Sequence, residues 1–240
     1  MRKILLLSLF CILAFAGCSK EDKNKIEIKQ GEYALHYEDE AQIEATSNLA
    51  ITYTSGNEYV AKVSDKGLIT AGRIGKTSIF LSNGKNQAEV SVVVSPVYNL
   101  FPEPIQKVSL GDSTQKIRDA FGTPDYENST GMLFNHYYLN YDYMFLFEND
   151  KITSMTVVIP TLNLPDNLTK FLLERYMPFG MQGYTAAFLN EQQDMAVAIT
   201  PSSNLMYMYV MYMPFGGNRS NDHMRAKDDI MDAIDALLIM

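Results

Sequence analysis

The chain has 240 residues and a formal net charge of −8, with 28 Asp and Glu against 20 Lys and Arg. An acidic balance without clustered Lys and Arg argues against nucleic-acid binding, which relies on neutralising phosphates, and against adsorption to anionic lipid. The length suits one large or two small domains.

Met1-Arg2-Lys3 leads into the apolar run ILLLSLFCILAFA and then Gly17-Cys18. A basic start, about a dozen apolar residues and small residues before a cleavage point describe an export signal. The run is shorter than the roughly 20 apolar residues of a spanning helix. FAGC, with Phe15 where Leu is usual, resembles the bacterial lipobox. That resemblance implies cleavage of residues 1–17 and a diacylglycerol thioether on Cys18; an ordinary signal peptide is the alternative. Cys11 leaves with the signal, so Cys18 is the lone mature cysteine and no intrachain disulfide is expected. Loss of Arg2 and Lys3 takes the net charge to −10. Residues 18–24 read as a tether. Within it SKEDK resembles the export tag of Bacteroidetes lipoproteins, which implies the exterior face of the outer membrane. The partner at this end is then the membrane, through the N-terminal lipid.

From 25 to 94 short alternating runs separated by turn residues predict an all-β sandwich. The expected strands are 25–29, 41–46, 50–55, 59–64, 68–73, 77–82 and 88–94, with Val60, Val63, Leu68 and Ile79 facing the core. Val60-Ala61-Lys62-Val63-Ser64, Gly67-Leu68-Ile69-Thr70-Ala71 and Gly75-Lys76-Thr77-Ser78-Ile79 resemble the bacterial immunoglobulin-like group 2 domain over about 70 residues. The family's Trp is absent, with Tyr53 or Ile51 in its neighbourhood. Such modules serve as receptor binders, spacers or decoration.

SPVYNLFPEP, within 95–105, reads as a stiff Pro-rich linker. Beyond it the composition shifts: 11 of the 15 Tyr and 10 of the 14 Met lie between 98 and 213. Asp112-Ser113-Thr114 offers an N-cap for a helix stopped at Gly122, with Leu110, Ile117 and Phe121 on one face. The same triplet resembles a Bacteroidetes O-glycosylation acceptor. Strands are expected at 132–141, 143–149 and 151–159, the last two joined by a hairpin at Asn149-Asp150. A second helix is expected from Pro165 through Leu168, Phe171, Leu172 and Tyr176, then strands at 183–191, 194–200 and 205–213. The predicted fold class is therefore an all-β Ig-like sandwich followed by an α+β domain (106–216) of two α-β-β-β repeats, 106–160 and 161–216.

Gly111, Ile117, Phe121-Gly122-Thr123-Pro124 and Phe147-Glu148-Asn149 resemble the SmpA/OmlA (BamE-like) outer-membrane lipoproteins over about 50 residues. A tandem pair of such units is similar to the architecture of β-lactamase inhibitor proteins, and the resemblance implies action by protein–protein contact. Residues 217–240 read as a C-terminal amphipathic helix. Met224, Ile230, Met231, Ile234, Leu237 and Leu238 oppose Asp228, Asp229, Asp232 and Asp235, and packing on its own domain is expected.

No catalytic motif is found. His36, His136 and His223 are scattered, no metal-ligand spacing exists, and Glu38-Asp39-Glu40 and Asp228-Asp229 read as solvated charge. No cofactor and no metal are expected. The Tyr/Met-rich strands supply the candidate contact surface: Tyr137, Tyr138, Tyr141, Tyr143, Tyr207, Tyr209 and Tyr212. The expected function is that of a non-catalytic, lipid-anchored surface binder of a protein or glycan. The alternative is a periplasm-facing scaffold for envelope assembly.

Overall fold

The structure, a computed structural model, describes residues 23–135 and 140–216. The signal peptide, Cys18, Tyr137, Tyr138 and the segment 217–240 lie outside the described residues.

Nine strands build the first unit: β1 (Glu27–Ile28), β2 (Glu32–Leu35), β3 (Glu40–Gln42), β4 (Ala45–Thr46), β5 (Thr52–Ser55), β6 (Ala61–Val63), β7 (Leu68–Ala71), β8 (Gly75–Ser82) and β9 (Gln87–Val94). They form one sheet ordered β2-β9-β8-β5, a second ordered β3-β7-β6, and a β1-β4 ribbon, with β2 parallel to β9. Alternation packs the two sheets face to face as a sandwich, and the strand order makes it Ig-like. Ile79 and Leu81 of β8, Val90 and Val92 of β9 and Ile69 of β7 are fully buried, each stabilising by about 1.5–3 kcal/mol relative to exposure. Val60 and Ile79 lie in the core as expected, and Val63 packs half-buried against it. Leu68 does not lead the inner face of β7, because Ile69 and Ala71 occupy the inward phase. Tyr53 lies against Gly67, whose φ is +78° and whose missing Cβ would stand 2.9 Å from the ring. β2 is a strand the pattern gave no sign of, since a short edge strand paired on one side needs no long alternation.

The segment 95–105 is not a free linker. Phe101 is buried in the core of the second unit, and Glu103 and Pro104 are buried beside it. A 3-10 turn at Pro104–Gln106 precedes α1 (Thr114–Phe121), β10 (Tyr126–Glu127), β11 (Gly131–Phe134), β12 (Asp142–Glu148) and β13 (Lys151–Pro160). A 3-10 turn at Thr161–Asn163 precedes α2 (Leu168–Leu173), β14 (Met177–Gln182), β15 (Thr185–Leu189), β16 (Met195–Pro201) and β17 (Tyr207–Pro214). All eight strands form one antiparallel sheet, ordered β10-β11-β12-β13-β17-β16-β15-β14. Among the described residues, α1 and α2 are each followed by four strands rather than the three expected, and the last strands of the two sets, β13 and β17, meet at the centre.

Helix α1 starts without the expected cap. Ser113 occupies the N-cap position but makes no side-chain bond. Asp150, from the β12–β13 turn, instead accepts from the Thr114 N–H (3.2 Å) and hydroxyl (2.5 Å). Asp112 accepts from the Ser109 N–H and pairs with Lys116 at 2.7 Å. The hydrogen bond from Thr114 holds the Asp150 carboxyl below its usual range, and that from Lys116 does the same for Asp112. The helices lie on one face of the sheet. Ile117 of α1 and Leu168, Phe171 and Leu172 of α2 meet Phe145, Met155, Val157, Val197 and Val210 there.

Candidate functional site

The structure separates the candidate tyrosines. Tyr143 and Tyr212 point to the helix-covered face and are buried, so neither is available as contact surface. Each is admitted to the core because its hydroxyl finds an acceptor: the Pro102 carbonyl at 2.5 Å for Tyr143, and Glu103 Oε1 at 2.9 Å for Tyr212. Desolvation pushes both phenols up, that of Tyr212 well above its usual value. Tyr141 is half-buried with its ring centre 5.4 Å from that of Tyr143 and 6.0 Å from Phe101. Tyr209 is half-buried on the opposite face of the sheet, where β17 alternates. Tyr207 is exposed.

Strand register places Tyr207 in a group that pattern-reading missed. Pro160 pairs with Tyr207, Pro201 with Met208, Ala186 with Ile199, and Phe134 with Tyr143. The turn after β13, the β16–β17 turn, the β14–β15 turn and the β11–β12 connection therefore share one end of the sheet. Thr161 ties two of them, its N–H donating to the Met206 carbonyl and its hydroxyl to that of Leu205, both at 2.9 Å. Asn163 reaches Asn140 of the β11–β12 connection at 3.2 Å. Leu162 is 98% exposed and Tyr184 88%; Leu205, Met206 and Met181 are exposed as well. Apolar side chains held out on polar turns, rather than folded under, make this end a candidate contact surface. The available sequence signal was an apolar residue where turn chemistry favours polar ones, as in PSSNLMY and PTLNLP.

The opposite end of the sheet carries the junction with the sandwich. Glu103 Oε1 accepts from Tyr176 (2.6 Å) and Tyr212, and its Oε2 pairs with Arg175 Nε at 3.1 Å. Arg175 also pairs with Glu174, donates to the Phe171 and Tyr98 carbonyls at 3.0 Å, and stacks 3.8 Å from the Phe171 ring centre. Glu174 accepts the Val97 and Tyr98 N–H groups at 2.9 and 3.1 Å. From the sandwich, the Ile74 N–H donates to the Glu174 carbonyl (2.8 Å), the Tyr59 hydroxyl to the Arg175 carbonyl, and Asn57 to Glu191. Arg73 lies 5.8 Å over the Tyr59 ring, and burial pushes the Tyr59 phenol up to about 12.

Each acid and base of this cluster is engaged by a fixed partner, an arrangement suited to joining the two units. The first described residues lie at the far end of the sandwich: Asn83, at the β8–β9 turn, donates to the Asn24 carbonyl at 2.6 Å, whereas the sandwich meets the sheet through 57–74. Among the described residues the order is therefore Lys23 and Asn24, sandwich, junction, sheet and apolar turns. Among the described residues, no group of His, Cys, Asp and Glu is placed to hold a metal ion.

No protein-family model and no curated protein matches the chain. Among solved structures, the chain is similar to a bacterial Ig-like domain-containing GH10 xylanase from termite gut at 22% identity and a TM-score of 0.25. That alignment covers 37% of this chain and 23% of the xylanase. It is also similar to an intimin mutant of EHEC O157:H7, at 16% identity and a TM-score of 0.24 over 54% of this chain and 86% of that one. The surface layer protein SbsC, domains 1–6, aligns at 17% identity and a TM-score of 0.26, over 56% of this chain and 22% of that one. The chain thus spans less than a quarter of the xylanase and of the surface layer protein. The Ig-like character of the first unit follows from its own strand order.

Proposed function

We propose that this chain is a non-catalytic, lipid-anchored surface protein that holds a contact surface away from the membrane. Cys18 carries the lipid, the Ig-like sandwich is the stalk, and the α+β unit, a tandem duplication, is the head. The observation that carries this reading is the order of the described residues: Asn24, beside the β8–β9 turn, and the exposed apolar turns lie at opposite ends. The duplication reading is supported by the two helix-and-four-strand sets, which meet through β13 and β17 at the sheet centre. The ligand class is protein or glycan, since Leu, Met and Tyr side chains offer apolar and stacking contacts and no cluster of positive charge.

Protease shaving of intact cells, with Cys18→Ala as the anchoring control, tests the placement. Loss of the chain from intact cells, and release of the Cys18→Ala form from the membrane fraction, is the expected result. Protection until the outer membrane is opened would overturn the exterior placement and favour the periplasm-facing scaffold.

A further inference from the structure

The sheet has a second face, turned away from α1 and α2. On it Ala187, Leu189, Ala196, Ala198, Met211 and Met213 form a cluster, each at most 4% exposed. The partly buried residues packed on that cluster are Phe179, Tyr209 and Phe215, so every described member comes from β14–β17 or the residue just after them. Both helices lie on the other face, and the sandwich meets the second unit at its end. At the middle of the same face the hydroxyls of Ser154 and Thr156, on β13, are buried without a hydrogen-bond partner. Apolar side chains this dry, beside two unsatisfied hydroxyls, require a covering element that none of the described elements supplies.

We propose that the outer face of the eight-stranded sheet is the docking site of the chain's own segment 217–240. The proposal rests on the fold alone and stands whether or not the apolar turns bind a ligand. The chain leaves β17 on this face, because the Phe215 ring packs with its centre 5.5 Å from that of Phe179. The 24 residues from 217 to 240 carry an apolar stripe of Met224, Ile230, Met231, Ile234, Leu237 and Leu238, with four Asp opposite. As a helix, 224–238 is about 22 Å long at 1.5 Å per residue, which matches about five strands at roughly 4.8 Å spacing. One amphipathic helix therefore reaches from β17 across to β14 or across the central strands while its aspartates stay in water. An acidic outer surface then replaces an apolar one, and the turns at the sheet's far end remain free.

The test uses thiol accessibility. Ala198→Cys in the mature chain carrying Cys18→Ala provides one thiol in the middle of the face. Its reaction rate with 5,5′-dithiobis(2-nitrobenzoate) is compared in three chains: full-length, ending at Gly216, and full-length with Ile234→Asp and Leu237→Asp. The full-length chain is expected to react roughly a hundredfold more slowly than the other two, because its thiol is reached only through local opening. Added synthetic peptide 217–240 is expected to slow the truncated chain again. Circular dichroism checks folding, and the Asp-substituted chain decides alone should the truncation unfold. Equal fast reaction in all chains would show an uncovered face and overturn the proposal. Equal slow reaction would assign the cover to another occupant, such as a second copy, and overturn it as well.

Discussion

Arg175 at the junction gives the sharpest energetic test. Its side chain is 13% exposed, that of Glu103 6% and that of Glu174 1%. Arg175→Met keeps much of the packing on Phe171 but removes the cation paired with both of these carboxylates. Removing one partner of a buried ion pair costs about 3–5 kcal/mol, most of it the penalty of the charge left behind. At about 2–4 °C per kcal/mol for a chain of this size, the melting temperature falls by roughly 6–20 °C if both units unfold together. Scanning calorimetry and urea unfolding measure it. The paired substitution Arg175→Met with Glu103→Gln should be more stable than Arg175→Met alone, because it removes an orphaned charge while an amide still accepts from Tyr176 and Tyr212. A loss of less than about 1 kcal/mol, typical of a solvent-exposed pair, or strict additivity of the two substitutions, would refute the reasoning.

Four further outcomes are expected of the same structure. Burial raises the phenols of Tyr176 and Tyr212 well above 10 and that of Tyr59 to about 12. The folded chain favours the neutral phenols, so their stabilisation is complete below pH 10 and is lost as pH rises through 12. Circular dichroism and tyrosinate absorbance at 295 nm should therefore change together in that window; buried tyrosines ionising in a chain still folded would contradict this. Gly67→Ala and Gly84→Ala both place a side chain at positive φ, +78° and +79°, but only the first meets the Tyr53 ring. Each should cost about 1–2 kcal/mol for the backbone, with Gly67→Ala the larger by chemical denaturation, and equal losses would deny the Tyr53 contact. Asp150→Ala should lower the melting temperature and Asp150→Asn less so, because Thr114 loses its acceptor; an unchanged melting curve would remove Asp150 as the cap of α1. Leu162→Ser, Leu205→Ser and Met206→Ser together should leave stability within about 1.5 kcal/mol, as exposed substitutions typically change it by at most 0.5 each, and a larger loss would make those turns structural.

The parts legible in the sequence were those with local periodicity. Leu168, Phe171, Leu172 and Tyr176 repeat at helical spacing, and all four are buried. LMYMYVMYM alternates between two faces, as β17 does. Edge strands were less legible: β14 contains Pro178 and a bulge beside it, which an edge tolerates and a pattern search reads as a break. Tyr143 and Tyr212 lie in the core rather than on the expected contact surface because a tyrosine enters a core once its hydroxyl has an acceptor, and Pro102 and Glu103 stand far away in sequence. The same holds for the Glu103, Glu174 and Arg175 cluster, where the Pro-rich stretch reads as linker and the charges meet only through the fold. The apolar turn residues were visible individually, but strand register alone brings Leu162, Tyr184 and Leu205 to one end.

The claim that the contact turns point away from the anchor is tested most directly on cells. Leu205→Cys places a thiol on the apolar turns and Lys85→Cys places one on the β8–β9 turn, beside Asn24; under the proposed lipidation, Cys18 is capped in both. Intact cells are treated with membrane-impermeant maleimides of increasing polymer size, with purified chains as the reference for intrinsic reactivity. Leu205→Cys is expected to react on intact cells even with large reagents, whereas Lys85→Cys is shielded as reagent size grows. Equal labelling at both positions, or better labelling at Lys85→Cys, would contradict it.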